Sequence, residues 1–321
     1  MKKPLSRFWL LDNPLDFKIT MLSGPDVVLV QQHRPFKRLI TLILDQECKG
    51  VIVRYLKLSS PFLGLVYYSL LVLCCKLMKK KILFFMHNFH EHTARNIWIN
   101  DIVRDLMLKS ASKVFVFDEQ MQQVLPEYCL TKLEVLGFGP ILSHLKSKDD
   151  RLTSDQKNQL LTWLNRGDVD IISVTTARRS DLQSWLEIMP RRLRVLVIDP
   201  NGNCRSTGPN VFVLHGHLYS SWSKISTSLT NSLGLLTHNN FSVPTSLYLF
   251  AELGLPVLAS DVSPIREIVE REMIGVACKP CSIELALNKL NDDRQFFSAN
   301  CREFSVRNSW NRSGSRLRRW L

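Results

Sequence analysis

Short apolar runs rich in β-branched residues recur along the chain, separated by longer stretches with helical periodicity. Ten runs fit β-strands: Asp26–Val30, Gly50–Val53, Lys81–Met86, Lys113–Phe117, Leu133–Leu136, Asp170–Val174, Leu193–Ile198, Val211–Leu214, Leu233–Leu236 and Pro256–Ala259. Continuous apolar strands that alternate with helices are typical of parallel sheets covered on both faces. The pattern therefore predicts an α/β fold.

A polar and charged segment, Ser143–Asp168, separates these strands into two groups of five. The chain has 321 residues, and single hydrophobic cores usually stop growing at about 250–300 residues. We therefore predict two Rossmann-like domains, over residues 1–150 and 151–321, that face one another across a cleft. In such sheets ligands bind at the carboxyl ends of the strands.

One apolar stretch, residues 58–75, is close to the lower length limit for a membrane span. Pro61 and Gly64 near its start, and the strand predicted directly after it, favour a packed or interfacial helix; a span is the alternative. Basic residues follow at Lys76, Lys79, Lys80 and Lys81. Apolar insertion and attraction to anionic lipid reinforce each other, so this part of the chain is a candidate membrane contact.

The charge balance predicts an anionic partner. Lys and Arg number 42 against 29 Asp and Glu, a formal net charge of +13. Nucleic acid, a phosphorylated substrate and an acidic membrane surface all fit this excess. The eight cysteines are scattered, which favours reduced thiols, and the apolar stretch at the start ends at Asp12 and Pro14, too early for a signal peptide. We expect a cytoplasmic protein.

The segment Thr237–Val269 carries the clearest chemistry. A strand ends at Leu236, a polar loop follows, and Pro244 stands where a helix would begin, with Thr245 and Ser246 in its first turn. The amino terminus of a helix offers free N–H groups and a partial positive charge, which suit phosphate. The hydroxyls alternatively serve only as caps of the helix.

This segment, PTSLYLFAELGLPVLASD followed by PIREIVEREMIGV, resembles the nucleotide-sugar-binding segment of GT-B glycosyltransferases. KILFFMHNFHEH at Lys81–His92 is similar to a strand and loop of bacterial exopolysaccharide and capsule glycosyltransferases, and Lys113–Gly139 resembles their return into the interdomain region. The resemblance covers about half of the chain, in the same order. It implies the GT-B fold, a nucleotide-diphosphate sugar as donor and a glycan acceptor.

The chain departs from the retaining, family-four-like members of that fold. Their two glutamates, eight positions apart, are replaced by Phe241 and Leu249, and Glu252 lies one turn further along, where it would contact a ribose or simply face solvent. A pattern that resembles galactofuranosyltransferases fits better, with Asn240 and Pro244 among the matching residues and Thr245 in place of a lysine. The donor sugar therefore stays open.

Cationic and proton-accepting residues complete the expected site. Arg178 and Arg179 follow a predicted strand and would bind the donor diphosphate, because arginine binds phosphate oxygens bidentately. His87 follows another strand and is the candidate catalytic base. Asp118 is the alternative candidate for this role. The neighbouring polar residues predicted to bind the acceptor are Asn88, His90 and His92.

Other chemistries lack their signatures. Asp168-Val169-Asp170 precedes a strand instead of following one, and Cys278 and Cys281 have no second ligand pair at zinc spacing. No glycine-rich dinucleotide or NTP motif is present, and no basic helix or recognisable nucleic-acid-binding domain supports a nucleic-acid partner. We expect neither a metal nor a cofactor.

These observations predict a bacterial glycosyltransferase that transfers a hexose. The sequence leaves open whether the anomeric configuration of the sugar is retained or inverted. The enzyme would transfer a sugar to a glycan acceptor, with a lipid-linked glycan expected, in surface polysaccharide biosynthesis. We expect it to be a peripheral protein on the inner face of the plasma membrane. The alternative is a catalytically silent GT-B-like protein that binds a glycan or a partner in an assembly complex.

Overall fold

The computed structural model describes residues 6–10, 21–22, 27–30, 35–54, 60–86, 97–146, 149–175, 181–239 and 241–321. The strands, numbered β1 to β12 in chain order, are Ser6–Leu10, Val27–Val30, Cys48–Val53, Lys81–Met86, Lys113–Val116, Leu133–Val135, Ile171–Val174, Val195–Ile198, Val211–Leu214, Leu233–Leu236, Val257–Ser260 and Gly275–Cys278. The α-helices, numbered α1 to α12, are Pro35–Leu44, Pro61–Leu77, Ile97–Ser110, Leu142–Lys146, Ser154–Leu164, Leu182–Ile188, Trp222–Ile225, Thr245–Leu253, Ile265–Arg271, Ile283–Asp292, Arg294–Arg307 and Trp310–Arg318. Short 3-10 helices cover Glu119–Val124, Glu127–Lys132, Ser226–Leu229 and Pro280–Ser282.

The strands of the described residues form two parallel six-stranded sheets. Their orders are β2-β1-β3-β4-β5-β6 and β12-β11-β10-β7-β8-β9. Counted from β7, the second order is the classical doubly wound Rossmann arrangement, and the first is of the flavodoxin type with one more strand. All ten predicted strands are present, with ends shifted by two residues or fewer, whereas β1 and β12 were not predicted.

The chain divides into two compact units, residues 1–138 with 310–321 and residues 139–309. This division differs from the sequence-based domains, 1–150 and 151–321, at both ends of the second unit. Residues 139–150 belong with the second unit because the N–H groups of Ile141 and Leu142 donate to Glu252 at 2.6 and 2.8 Å. Helix α12 belongs with the first unit, since Ser313 and Arg316 donate to strand-end carbonyls there, at 2.8 and 2.7 Å.

Helix α2 contains most of the apolar stretch at residues 58–75, the candidate membrane contact of the sequence analysis. It begins with Pro61, where a missing N–H costs nothing, and it buries Tyr67, Tyr68 and Leu71. The helix has 17 residues. No helix in the described ranges is both long and apolar enough to cross a membrane.

Candidate functional site

In the second sheet the order in which successive strands are added reverses between the neighbouring strands β7 and β10. Strands β8 and β9 lie on one side of this pair and β11 and β12 on the other, so the loops after β7 and β10 leave in opposite directions. A crevice at the carboxyl ends of two such strands is the usual ligand site of a doubly wound sheet. The Ser173 hydroxyl links the pair by donating to the Leu235 carbonyl oxygen at 3.2 Å.

Helix α8 begins at this crevice. Pro244 precedes it, and its carbonyl oxygen accepts from the N–H of Leu247 at 3.1 Å. Ser246 is buried and Thr245 is half-buried, and the first turn contains no acidic residue. The helix therefore begins one residue later than predicted, with Pro244 as its N-cap and with Thr245 and Ser246 in its first turn as expected. Its partial positive charge is not neutralised by a carboxylate of its own first turn. The donor-binding roles of Pro244, Thr245 and Ser246 stay predictions.

A close approach between helix and strand sets the position of α8. Gly234 lies in β10, and a Cβ added there would come within 2.3 Å of the Phe250 ring. Phe250 is fully buried, so the ring has no room to move aside. Because Gly234 has no side chain, α8 can pack directly on β10, the strand that precedes it in the chain.

The loops after β7 and β10 are joined. The Asp181 N–H donates to the Thr237 carbonyl oxygen at 3.3 Å, and the Asn239 side-chain amide donates to the Asp181 carboxylate at 3.2 Å. Arg178 and Arg179, predicted to bind phosphate, lie just before Asp181, outside the described residues, and so does Asn240. We call residues 176–180 the arginine loop; Asp181, which directly follows it in the sequence, is held beside the loop that leads into α8.

Glu252, predicted to contact a ribose, has one oxygen engaged within its own unit. Its Oε2 accepts from the N–H groups of Leu142, the first residue of α4, and of Ile141 directly before it. A carboxylate at this place satisfies N–H groups that a helix start leaves unpaired. The ribose contact stays a prediction, and it would have to use Oε1.

Two further loops follow strand ends in the second sheet, and sequence reasoning assigned them no firm role. Asp199, after β8, is completely buried and accepts from Asn201, Asn203 and Cys204. The Nδ1 atom of His215, after β9, lies 3.4 Å from the Asp199 carbonyl oxygen. An Asp-Pro-Asn-Gly turn after a strand was the available signal for this rigid loop.

A cavity of about 330 Å³ lies in the second unit, lined by residues of α5 and of the segment 220–225 after β9. Asp150 lines it and accepts from the N–H groups of Tyr219 and Ser221, at 2.7 and 3.1 Å, and from the Ser221 hydroxyl. Burial alone would raise the pKa of the Asp150 carboxyl, but these hydrogen bonds hold it below its ordinary value. Asp150 thus stays ionised and fixes the loop after β9.

The predicted acceptor residues belong to the first unit. His87, Asn88, His90 and His92 lie outside the described residues. The strand before them ends at Met86, which is paired with Val116 of β5. Since Asp118 follows β5 by two residues, it lies at the same carboxyl edge of the sheet as Met86, the last residue of β4.

Asp118 has a defined structural contact at that edge. It is buried, and its carboxylate accepts from the Gln120 N–H at 2.8 Å, which caps a 3-10 helix. Arg54, which sequence reasoning missed, directly follows β3, the strand on the other side of β4, and is almost fully buried. Arginine side chains are mostly exposed in folded proteins. The residue type therefore does not predict a buried guanidinium at the carboxyl end of a parallel strand.

Comparison with known proteins identifies the fold. No known family and no curated protein matches the sequence. Among solved structures, HepE from Anabaena in complex with UDP and glucose has a TM-score of 0.62 at 11% identity, covering 97% of this chain and 98% of that chain. A glycosyltransferase from Rickettsia africae has a TM-score of 0.60 at 14% identity, covering 97% and 96%.

A third match is sucrose-phosphate synthase from Thermosynechococcus elongatus, with a TM-score of 0.61 at 14% identity over 92% of this chain and 80% of that chain. Likeness at these identities shows the fold. It confirms the fold class predicted from sequence, two Rossmann-like domains of the GT-B type.

Proposed function

We propose that this protein is a glycosyltransferase that uses a nucleotide-diphosphate sugar as donor. The observation that carries the proposal is the start of α8 at the crevice between β7 and β10, where Asn239 bonds to Asp181, the residue that directly follows the arginine loop in the sequence. A helix start without acidic residues, together with the two arginines of that loop, matches the charge of a diphosphate. Solved structures of the same fold hold UDP or UDP-glucose.

The proposed reaction breaks the bond between the anomeric carbon of the sugar and the diphosphate oxygen. An acceptor hydroxyl forms the new bond to that carbon, and its proton passes to a base, for which His87 is the candidate and Asp118 the competitor. The electron pair of the broken bond leaves with the diphosphate. Arg178, Arg179 and the α8 start stabilise that charge, and no metal is needed in this scheme.

The finer assignment follows the sequence. We propose a hexosyl donor and a glycan acceptor, lipid-linked, in bacterial surface polysaccharide biosynthesis, on the cytoplasmic side of the plasma membrane. The acceptor would approach the first unit at the carboxyl edge of its sheet, where Asn88, His90 and His92 follow β4 and Asp118 follows β5. Asn240 and Glu252 would contact the donor.

Calorimetric titration with UDP and a panel of other nucleoside diphosphates tests the donor site. We expect Arg178→Ala combined with Arg179→Ala to weaken binding by about tenfold to a hundredfold, because charged hydrogen bonds to phosphate are lost. The matched control is Arg192→Ala, since Arg192 is an exposed arginine of the same unit that pairs with Glu284 at 2.7 Å. If the double variant bound every nucleotide like the parent, the donor site would be elsewhere.

Turnover separates an enzyme from a silent binding protein. The parent and His87→Ala are incubated with radiolabelled nucleotide sugars and a bacterial membrane extract, and label in glycan is measured. The proposal requires transfer by the parent and its loss in the variant. Nucleotide binding without transfer from any donor would instead support the silent GT-B-like protein.

A further inference from the structure

Helix α2 is apolar on both of its faces. Its buried face contains Tyr67, Tyr68 and Leu71. Its exposed face also consists largely of apolar side chains, among them Phe62, Leu73 and Leu77, which are 69%, 51% and 72% exposed. A helix that is apolar all round is normally covered on all sides.

Neighbouring helices extend this exposed surface. Helix α1 packs against α2 and exposes Ile40, Ile43 and Leu44, and α3 packs on α2 and exposes Trp98. We call the following set the apolar face: Ile40, Ile43, Leu44, Phe62, Leu63, Leu70, Leu73 and Leu77. Apolar surface of this extent on one helical layer marks an interaction site.

The charge of the first unit indicates which partner covers the apolar face. The unit formed by residues 1–138 and 310–321 has 23 Lys and Arg against 12 Asp and Glu, a net charge of +11, and the other unit has a net charge of +2. Divided at residue 150, the chain would instead have net charges of +7 and +6, because the four arginines of residues 310–321 then count with the second domain. The positive charge and the apolar face thus lie on the same unit.

Basic residues also adjoin the apolar face directly. Lys76 and Lys79 are exposed at the end of α2. The carboxylates of Asp101 and Asp105 in α3 pair with Arg104 and Lys109, at 2.9 and 2.7 Å. Anionic lipid therefore meets Lys76 and Lys79 next to apolar side chains, whereas a second copy of this unit, with its net charge of +11, would bring like charges together.

We propose that the first unit binds an anionic lipid surface through the apolar face, with α2 lying in the plane of the interface. At 17 residues, α2 is about 26 Å long, shorter than the apolar core of a bilayer, and its other face is committed to the protein core. Exposed leucines enter the boundary between headgroups and acyl chains, and Lys76 and Lys79 contact lipid phosphates. This binding does not depend on the transfer reaction.

Vesicle flotation with the full chain tests the proposal. The vesicles are pure phosphatidylcholine or equal parts of phosphatidylcholine and phosphatidylglycerol. The parent binds the anionic vesicles, and raised salt weakens this binding. Leu70→Glu combined with Leu73→Glu lowers partitioning at least about tenfold, because two apolar side chains are replaced by anionic ones. Lys76→Glu combined with Lys79→Glu also lowers it about tenfold or more.

The control is Leu285→Glu on the second unit, because Leu285 is 74% exposed in a described helix outside the apolar face. Circular dichroism melting confirms that each variant is folded, and exposed positions should tolerate the change. The proposal is overturned if the Leu70/Leu73 variant floats like the parent, or if Leu285→Glu reduces flotation equally. It is also overturned if light scattering shows a parent dimer that this variant dissolves, since a second copy then covers the face. A failed transfer assay has no bearing on these outcomes.

Discussion

The side-chain amide of Asn239 donates to the carboxylate of Asp181 at 3.2 Å and thereby joins the loops on the two sides of the crevice in the second sheet. The residues lie 58 positions apart in the chain. Their contact, together with the Asp181 N–H bond to Thr237, restricts where the arginine loop can end. A hydrogen bond at an exposed position contributes little to stability, but it can determine the geometry of a binding loop.

Asp181→Ala should therefore affect nucleotide binding more than folding. We expect the affinity for UDP to fall about threefold to tenfold, in the range of one hydrogen bond, with an almost unchanged melting temperature. Calorimetry and thermal melting measure the two effects. Glu187→Ala, on the helix that follows, is the control and should leave UDP affinity as in the parent. An Asp181→Ala protein with parental UDP affinity would show that the contact does not position the loop.

Gly234→Ala tests the close approach of β10 and α8. The added methyl group would overlap the Phe250 ring, and overpacking of a buried site costs about 1–3 kcal/mol. We expect a lower free energy of unfolding in urea and weaker UDP binding, because α8 must shift. A second change, Phe250→Leu, makes room and should recover part of both losses. Equal effects in the single and double variants would contradict this account.

Asp150→Asn should destabilise the second unit in a pH-dependent way. The pKa of Asp150 is lowered in the folded state, so its contribution is fully present above the ordinary carboxyl pKa of about 3.9 and is lost as the pH falls through the lower folded value. At neutral pH we expect a loss of about 1–3 kcal/mol in urea unfolding. Asp149→Asn, at an exposed neighbour, is the control. A difference between parent and Asp150→Asn that persisted undiminished in acid would contradict the assignment.

Asn100→Leu should stabilise the first unit. Asn100 is 1% exposed, and neither atom of its carboxamide has a hydrogen-bond partner within the part of the chain that the structure describes. A buried polar group without a partner costs about 1–3 kcal/mol, and an apolar residue of similar shape removes that cost. We expect a higher melting temperature, with the exposed Asn158→Leu as control. A clear fall in the melting temperature of Asn100→Leu would show that the carboxamide is needed for folding.

The strands were predictable where their residue types are distinctive. β4, β9 and β10 have the predicted ends, because each is a continuous apolar run between polar residues. β1 and β12 were missed for different reasons. Ser6–Leu10 lies in a segment with a basic start that was considered as a candidate signal peptide and not as a strand. Gly-Val-Ala-Cys at 275–278 contains only one β-branched residue.

Contacts between distant residues were not predictable from one sequence. The helix start at Thr245 follows from Pro244 and the loop before it, whereas nothing local shows that Glu252 accepts from Ile141 and Leu142. Helix α12 is strongly polar, so its few apolar residues do not reveal which unit they contact. The arginines of this helix therefore lie in the second domain of the sequence-based division but in the first compact unit of the structure.

The placement of α12 has a consequence for synthesis of the protein. The second unit is one continuous segment, residues 139–309, whereas the first unit needs residues 310–321, which the ribosome adds after that entire segment. The first unit therefore cannot be completed until the helix whose Ser313 and Arg316 bond to its carbonyl groups has been synthesised, after the whole of the second unit. An amino-terminal domain made of one continuous segment could instead be finished first.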